Sequence, residues 1–175
     1  SVLAVDDAKP FLIAGSEMGL SIFDPETQRF ESVPNDDYRE MNMSHRTITA
    51  LYIDQGGVLW VGTKKGLNKF DSYSKDFEAF HTTLFDKSKN IITGVQNSSI
   101  GGYWISTIGG GLFKFDGKSS FTHYKIVSRE ENDFTEFIQT LYSDNRGNIW
   151  VGTAGAGVYH FNEKDISKNG TIHTF

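Results

Sequence analysis

The sequence predicts an all-β chain: a β-propeller segment of four four-stranded antiparallel blades, read as a fragment of a larger propeller. Three observations carry this. A strand of one shape occurs four times, as Leu12-Ile13-Ala14-Gly15-Ser16, Val58-Leu59-Trp60-Val61-Gly62-Thr63, Tyr103-Trp104-Ile105-Ser106-Thr107 and Ile149-Trp150-Val151-Gly152-Thr153. The tryptophans of the last three copies stand 44 and 46 positions apart, a period of the length that builds one propeller blade. Finally, the strands are apolar on both faces: Leu59, Trp60 and Val61 are consecutive, so side chains on opposite sides of the sheet are all apolar. A sandwich sheet with one wet face would alternate instead. A sheet covered on both sides is what a blade lying between two others requires.

The elements follow in order. In the clearest copy the first strand is Ile48 to Ile53, and a turn follows at Asp54-Gln55-Gly56-Gly57, where glycine supplies the positive φ of a tight hairpin. The second strand is Val58 to Thr63, the third Leu67 to Asp71, and the fourth Phe77 to Phe80. The first repeat is the most worn, with Ile13 in place of tryptophan and Phe23-Asp24 matching Phe70-Asp71. The third repeat has Asn97 where the turn aspartate stands, and the fourth runs from Ile138 to Phe175. Blades are expected at about 1–33, 47–80, 91–124 and 137–175, within one domain spanning 1–175, and first strands at about 2–6, 48–53, 92–96 and 138–143. Only 128–137 carries a trace of helical periodicity.

Composition bounds the chemistry. The 175 residues suffice for one domain with a real core. A net charge of −5 excludes a non-specific nucleic-acid binder, and the lack of cysteine excludes thiolate metal sites, disulfides and cysteine nucleophiles. No apolar run approaches the roughly 20 residues of a membrane helix, so any membrane link would lie in sequence outside this chain. The chain opens inside a strand, as a piece of something longer would.

The pattern Ile-x-x-Leu-x-x-Asp-x-x-Gly-x-Leu/Ile-Trp-Val-Gly-Thr-x-x-Gly-Leu-x-x-Phe-Asp is met nearly letter for letter by Ile48 to Asp71. It resembles the two-component regulator propeller repeat, strongest in the second and fourth copies and weakest in the first. The lead-in Ser44-His45-Arg46-Thr47 also fits that family, with Arg46 where asparagine is common. The resemblance implies the extracytoplasmic, periplasmic sensor of a hybrid two-component histidine kinase system of Bacteroidetes, recognising oligosaccharides of complex glycans. Kinase activity would belong to the remainder of the parent, and none to this segment.

The conspicuous residues have bland readings beside sharp ones. Trp60, Trp104 and Trp150 could stack a sugar, but mid-strand placement favours packing between blades. Asp54 and Asp144 suggest calcium, yet Arg146 stands where a calcium loop needs oxygen, so turn capping is expected. Gly109-Gly110-Gly111 and the run Gly152 to Gly157 lack the helix of a phosphate cradle and read as turns. The five histidines show no metal-ligand spacing, and no cofactor or metal is expected.

One constellation stands out. Tyr38, Arg39, His45, Arg46, Lys64 and Lys65 would share one loop rim around the second blade, with Arg129, Glu130, Glu131 and Asp133 further round the same face. They are the candidate ligand-binding residues, for a polar or anionic saccharide. Three classes remain: a ligand sensor, a protein-interaction or dimerisation scaffold, and a propeller lyase or glycosidase. The last needs an acid/base pair or metal, and no convergent set can be named. An open arc of blades exposes an apolar face at each end, so self-association is expected.

Overall fold

In the computed structural model, residues 2–5, 12–33, 43–71, 76–80, 91–127, 133–166 and 170–173 are described. The all-β prediction holds: among the described residues sixteen strands form four sheets, and the helix there is two short 3-10 turns, at Asp133–Glu136 and Glu163–Asp165. Cα packing divides the chain into two compact units, Ser1–His81 and Thr82–Phe175. The division falls where the sequence reads a loop between repeats.

The first unit holds two four-stranded antiparallel sheets. One contains β1 (Val2–Val5), β2 (Leu12–Ser16), β3 (Gly19–Asp24) and β4 (Arg29–Ser32), and the other β5 (Ile48–Ile53), β6 (Leu59–Thr63), β7 (Gly66–Asp71) and β8 (Asp76–Phe80). Each pairs in sequence order, as hairpin-linked blades do. Ile13 and Leu20 of the first sheet pack with Ile48, Leu59 and Val61 of the second. The sheets meet closely: a Cβ on Gly15 would lie 2.4 Å from Ile48 Cγ2, so only glycine permits this approach.

The second unit repeats the plan with one departure. Here β9 (Ile92–Asn97), β10 (Tyr103–Thr107), β11 (Gly111–Phe115) and β12 (Phe121–Val127) form the third blade. The fourth contains β13 (Ile138–Ser143), β14 (Asn148–Thr153) and β15 (Val158–Asn162). The last strand, β16 (Thr171–His173), does not complete that blade, as the repeat had led us to expect; it pairs parallel to β12, which makes sheets of five and three strands. The cause lies just after β15. Glu163 is 3% exposed and turns into the third blade, where the Ser98 hydroxyl donates to it, the Ser99 amide donates at 3.1 Å, and Lys114 Nζ lies 3.6 Å away. That anchor carries the chain across, and Ile172 is buried with Trp104 and Ile126. The first strands, at Val2–Val5, Ile48–Ile53, Ile92–Asn97 and Ile138–Ser143, start where the repeat puts them.

Candidate functional site

Four of the six proposed rim residues fall within the described structure, all at one end of the second blade. Tyr38 and Arg39 lie outside the described residues, as do 129–131; Asp133 opens a 3-10 turn. The rim is built from the Gly-Thr signature upward. Thr63 ends β6, and its hydroxyl donates to Gly66 O at 3.0 Å while accepting from the Lys65 amide at 3.1 Å. This pins the two-residue Lys64-Lys65 turn and leaves both lysines exposed. Ser16, Thr107 and Thr153 donate likewise to Gly19, Gly111 and Gly157. The recurring hydroxyl is thus a turn-closing device, since its bonds satisfy backbone groups the ladder leaves open.

What sets His45 and Arg46 beside that turn is a residue the sequence reading passed over. Asn68 on β7 is wholly buried. Its Oδ1 accepts from the Ser44 amide at 2.8 Å, and its Nδ2 donates to Ser44 Oγ at 2.9 Å and Val61 O at 3.0 Å. Ser44 Oγ also lies 2.8 Å from Thr63 Oγ1, and the Lys64 amide donates to Thr47 O at 3.4 Å. The lead-in and the lysine turn are therefore one hydrogen-bonded unit. The available signal was a polar amide in a strand where the other copies place Ser21, Phe113 and Tyr159. A buried amide in an apolar sheet is costly unless its bonds are made, so it marks an anchor.

The electrostatics are one-sided. Partial burial, then the charges of Lys65, Lys64 and Arg46, hold the His45 pKa below its usual value. The Thr47 amide donates to His45 Nδ1 at 3.0 Å, which places the ring proton on Nε2. The rim thus offers two ammonium groups, a guanidinium and an imidazole N–H. Such a donor set suits hydroxyl, carboxylate or sulfate oxygens. It has no acid/base pair with which to cleave a glycosidic bond. Among the described residues, no group of three or more His, Asp or Glu could hold a metal ion.

Other expectations resolve with equal clarity. Asp54 Oδ1 accepts from the amides of Gly56 and Val58, both at 2.9 Å, and Oδ2 accepts from Trp60 Nε1 at 3.1 Å. Asp144 Oδ1 accepts from the amides of Arg146 and Asn148, so both aspartates are turn caps. The Asn148 side chain, then these amides, lower the Asp144 pKa. Gly109, with φ of 77°, lies in the turn between β10 and β11, and Gly111, with φ of 80°, opens β11, as the turn reading requires. Trp60 and Trp104 are buried at 2% and 0%, but Trp150 is 44% exposed, which departs from the packing role expected of all three. Among the described residues no further sheet covers its face.

The two component regulator propeller pattern matches residues 42–65 and 134–155, which include the rim and the Trp150 strand. The repeat of that family is therefore present in two stretches of this chain, one in each compact unit. The extracellular domain of BT3049 from B. thetaiotaomicron, assigned to a hybrid two component system, superposes on this propeller with a TM-score of 0.65 at 23% identity, over 89% of this chain and 19% of that one. The extracellular domain of BT4673 from the same organism gives 0.58 at 20% identity, over 99% and 30%. PorZ, a surface component of the type-IX secretion system of Porphyromonas gingivalis, gives 0.67 at 15%, over 93% and 26%. At these identities the likeness concerns the fold, and the chain spans less than a third of each of these structures. No significant match occurs among curated proteins.

Proposed function

We propose that this propeller segment serves a ligand sensor, the periplasmic part of a hybrid two-component system, that it binds without transforming, and that its ligand is an oligosaccharide carrying acidic groups. The observation that carries the reading is the donor-only rim of His45, Arg46, Lys64 and Lys65, held as a unit by buried Asn68. The repeat family and the extracellular, signalling-associated neighbours support the compartment and the sensing role. The Asn68 and Thr63 bonds fix the backbone from which these donors project, which lowers the ordering cost of binding. Histidine kinase activity would lie in a different part of the parent.

The test is calorimetric titration of the chain with a panel of neutral and acidic oligosaccharides, with product analysis on the same samples. The reading expects binding by acidic members, weakened by rising salt, with no turnover. Binding that Arg46→Ala and Lys65→Ala leave unchanged would put the site elsewhere, and turnover would replace the sensor with an enzyme.

A further inference from the structure

The corner of the fourth blade that corresponds to the rim has the opposite chemistry. Counted from Ile138 and Ile48, Phe134, Glu136 and Phe137 stand where the second blade has Ser44, Arg46 and Thr47. Ala154 and Gly155 stand where it has Lys64 and Lys65. Two aromatic rings, a carboxylate and a turn of small residues thus take the place of the cations. The corner lies within the second unit, where the 3-10 turn Asp133–Glu136 packs on β11 and β12 of the third blade and β14 of the fourth.

The backbone is knit into both blades. Glu136 O accepts from the Gly109 amide at 2.9 Å, Phe137 O accepts from the Ala154 amide at 2.8 Å, and the Phe137 amide donates to Phe134 O at 3.0 Å. Ile108 and Phe137 form an antiparallel bridge, which sets their side chains next to each other. Residues three apart in a 3-10 turn eclipse, so Phe134 and Phe137 rise on one side, with ring centroids 6.1 Å apart. The Phe134 ring rests on the small turn: a Cβ on Gly155 would lie 3.4 Å from Phe134 Cγ. Glu136 leaves by the other flank, where its Cγ and His123 Nε2 stand 3.8 and 3.1 Å from the place a Cβ on Gly111 would take. Burial lowers the His123 pKa and the Glu136 charge opposes that, so carboxylate and imidazole are near neighbours.

Phe134, Phe137 and Ile108 are 51%, 40% and 38% exposed. Single exposed apolar side chains are ordinary, but these three are set side by side on a fixed backbone. They offer on the order of 200–300 Å², well below the roughly 800 Å² that each partner buries in a stable protein interface. That scale fits a small ligand. An apolar platform with a carboxylate and an imidazole on the flank of the same turn matches a ring that has a C–H face and a hydroxyl edge, as a pyranose has. The carboxylate repels a uronate and so favours a neutral ring.

We infer that this corner is a saccharide subsite for a neutral pyranose, which lies on Phe134 and Phe137 and directs hydroxyl groups to Glu136 and His123. The inference rests on the sensor reading for the class of ligand alone, since it concerns another unit, other residues and a ring of other charge.

The experiment is an amide-resolved NMR titration of the whole chain with the methyl glycosides of glucose, galactose and xylose. The methyl glycoside of glucuronic acid and tetramethylammonium chloride serve as contrasts. At least one neutral glycoside should shift the Phe137, Ala154 and Gly155 amides saturably, and the glucuronic acid glycoside should bind several-fold more weakly. Phe134→Ala should weaken binding about threefold to tenfold, and so should Phe134→Leu, which keeps apolar bulk without the ring. Phe134 is half-exposed, so both variants should fold, and their amide spectra verify it. Glu136→Gln should narrow the preference over the glucuronic acid glycoside, while Arg46→Ala and Lys65→Ala should change none of these values. Saturation by no neutral glycoside overturns the inference, as does a Phe134→Leu variant that binds like the wild type. A response to tetramethylammonium alone overturns it too and makes the corner a cation site. Acidic oligosaccharides held by the rim would leave the sensor reading standing in each case, and glycosides bound here without rim binding would remove the rim and keep the corner.

Discussion

Trp104 and Trp150 occupy the same place in the same repeat 46 residues apart, and they live in opposite environments. Trp104 is wholly buried between Tyr124 and Phe161, with Lys114 Nζ 4.8 Å above its ring. Trp150 is 44% exposed and lies against His160 of its own sheet, with ring centroids 4.1 Å apart. A repeat thus specifies where a side chain points, while burial depends on whether another blade stands in front of it. The same distinction separates the turns. Asp54 and Asp144 cap theirs from within, whereas the third blade, lacking that aspartate, takes a carboxylate from Glu163 in the following blade.

The sharpest way to break the comparison is truncation. Trp104→Ala should cost about 3–5 kcal/mol in a denaturant titration, since a large cavity opens in a core that cannot collapse around it. Trp150→Ala, made where 44% of the residue is already in water, should stay within about 1 kcal/mol of the wild type at protein concentrations that keep the chain monomeric. Equal losses would mean that Trp150 is covered in solution by something that holds even in dilute monomer.

Glu163 comes next in size. It is buried against Ser98, Ser99 and Lys114, and burial, offset by Glu163 itself, lowers the Lys114 pKa. Glu163→Ala should cost about 2–3 kcal/mol, below the range for fully buried pairs because the Lys114 side chain keeps some contact with water. If the anchor redirects the chain as described, hydrogen exchange at Ile172 should rise before exchange elsewhere in the third blade. Protected Ile172 amides in Glu163→Ala would show that β16 holds its place without the carboxylate.

These cases show what was legible. Strand positions, turns and the two-faced sheets followed from a repeat whose apolar and glycine positions report local backbone geometry. The crossing of β16 did not, because it depends on one acidic residue outside the repeat pattern. Asn68 was missed for a related reason: it looks like any strand polar residue until Ser44, 24 positions earlier, is seen to bond it. The rim residues stood out as charges, but what holds them together is an uncharged amide. Long-range hydrogen bonds leave no periodic trace, so the anchors of a site are harder to read than its surface.

The smallest effect concerns the rim. Arg46→Ala and Lys65→Ala should change stability by less than about half a kcal/mol, since both side chains are exposed. Their signature should appear at His45. Burial and then the neighbouring cations depress its pKa, so the ring stays neutral in the fold at a pH where the unfolded chain has begun to protonate. The unfolded chain then binds more protons, and stability rises with pH across that window. The contribution is present above the ordinary imidazole pKa of 6.5 and is lost as the pH falls toward the folded value. Removing Lys65 takes away the largest of the charge effects, so the His45 midpoint should move up, and Arg46→Ala should move it up by less. An acidic saccharide seated on the rim should do the same by supplying negative charge. Proton resonances of the His45 ring followed through a pH titration read all three. An unmoved midpoint in Lys65→Ala would mean that solvent screens the lysine from the ring, and the four side chains would then not act as one cationic site.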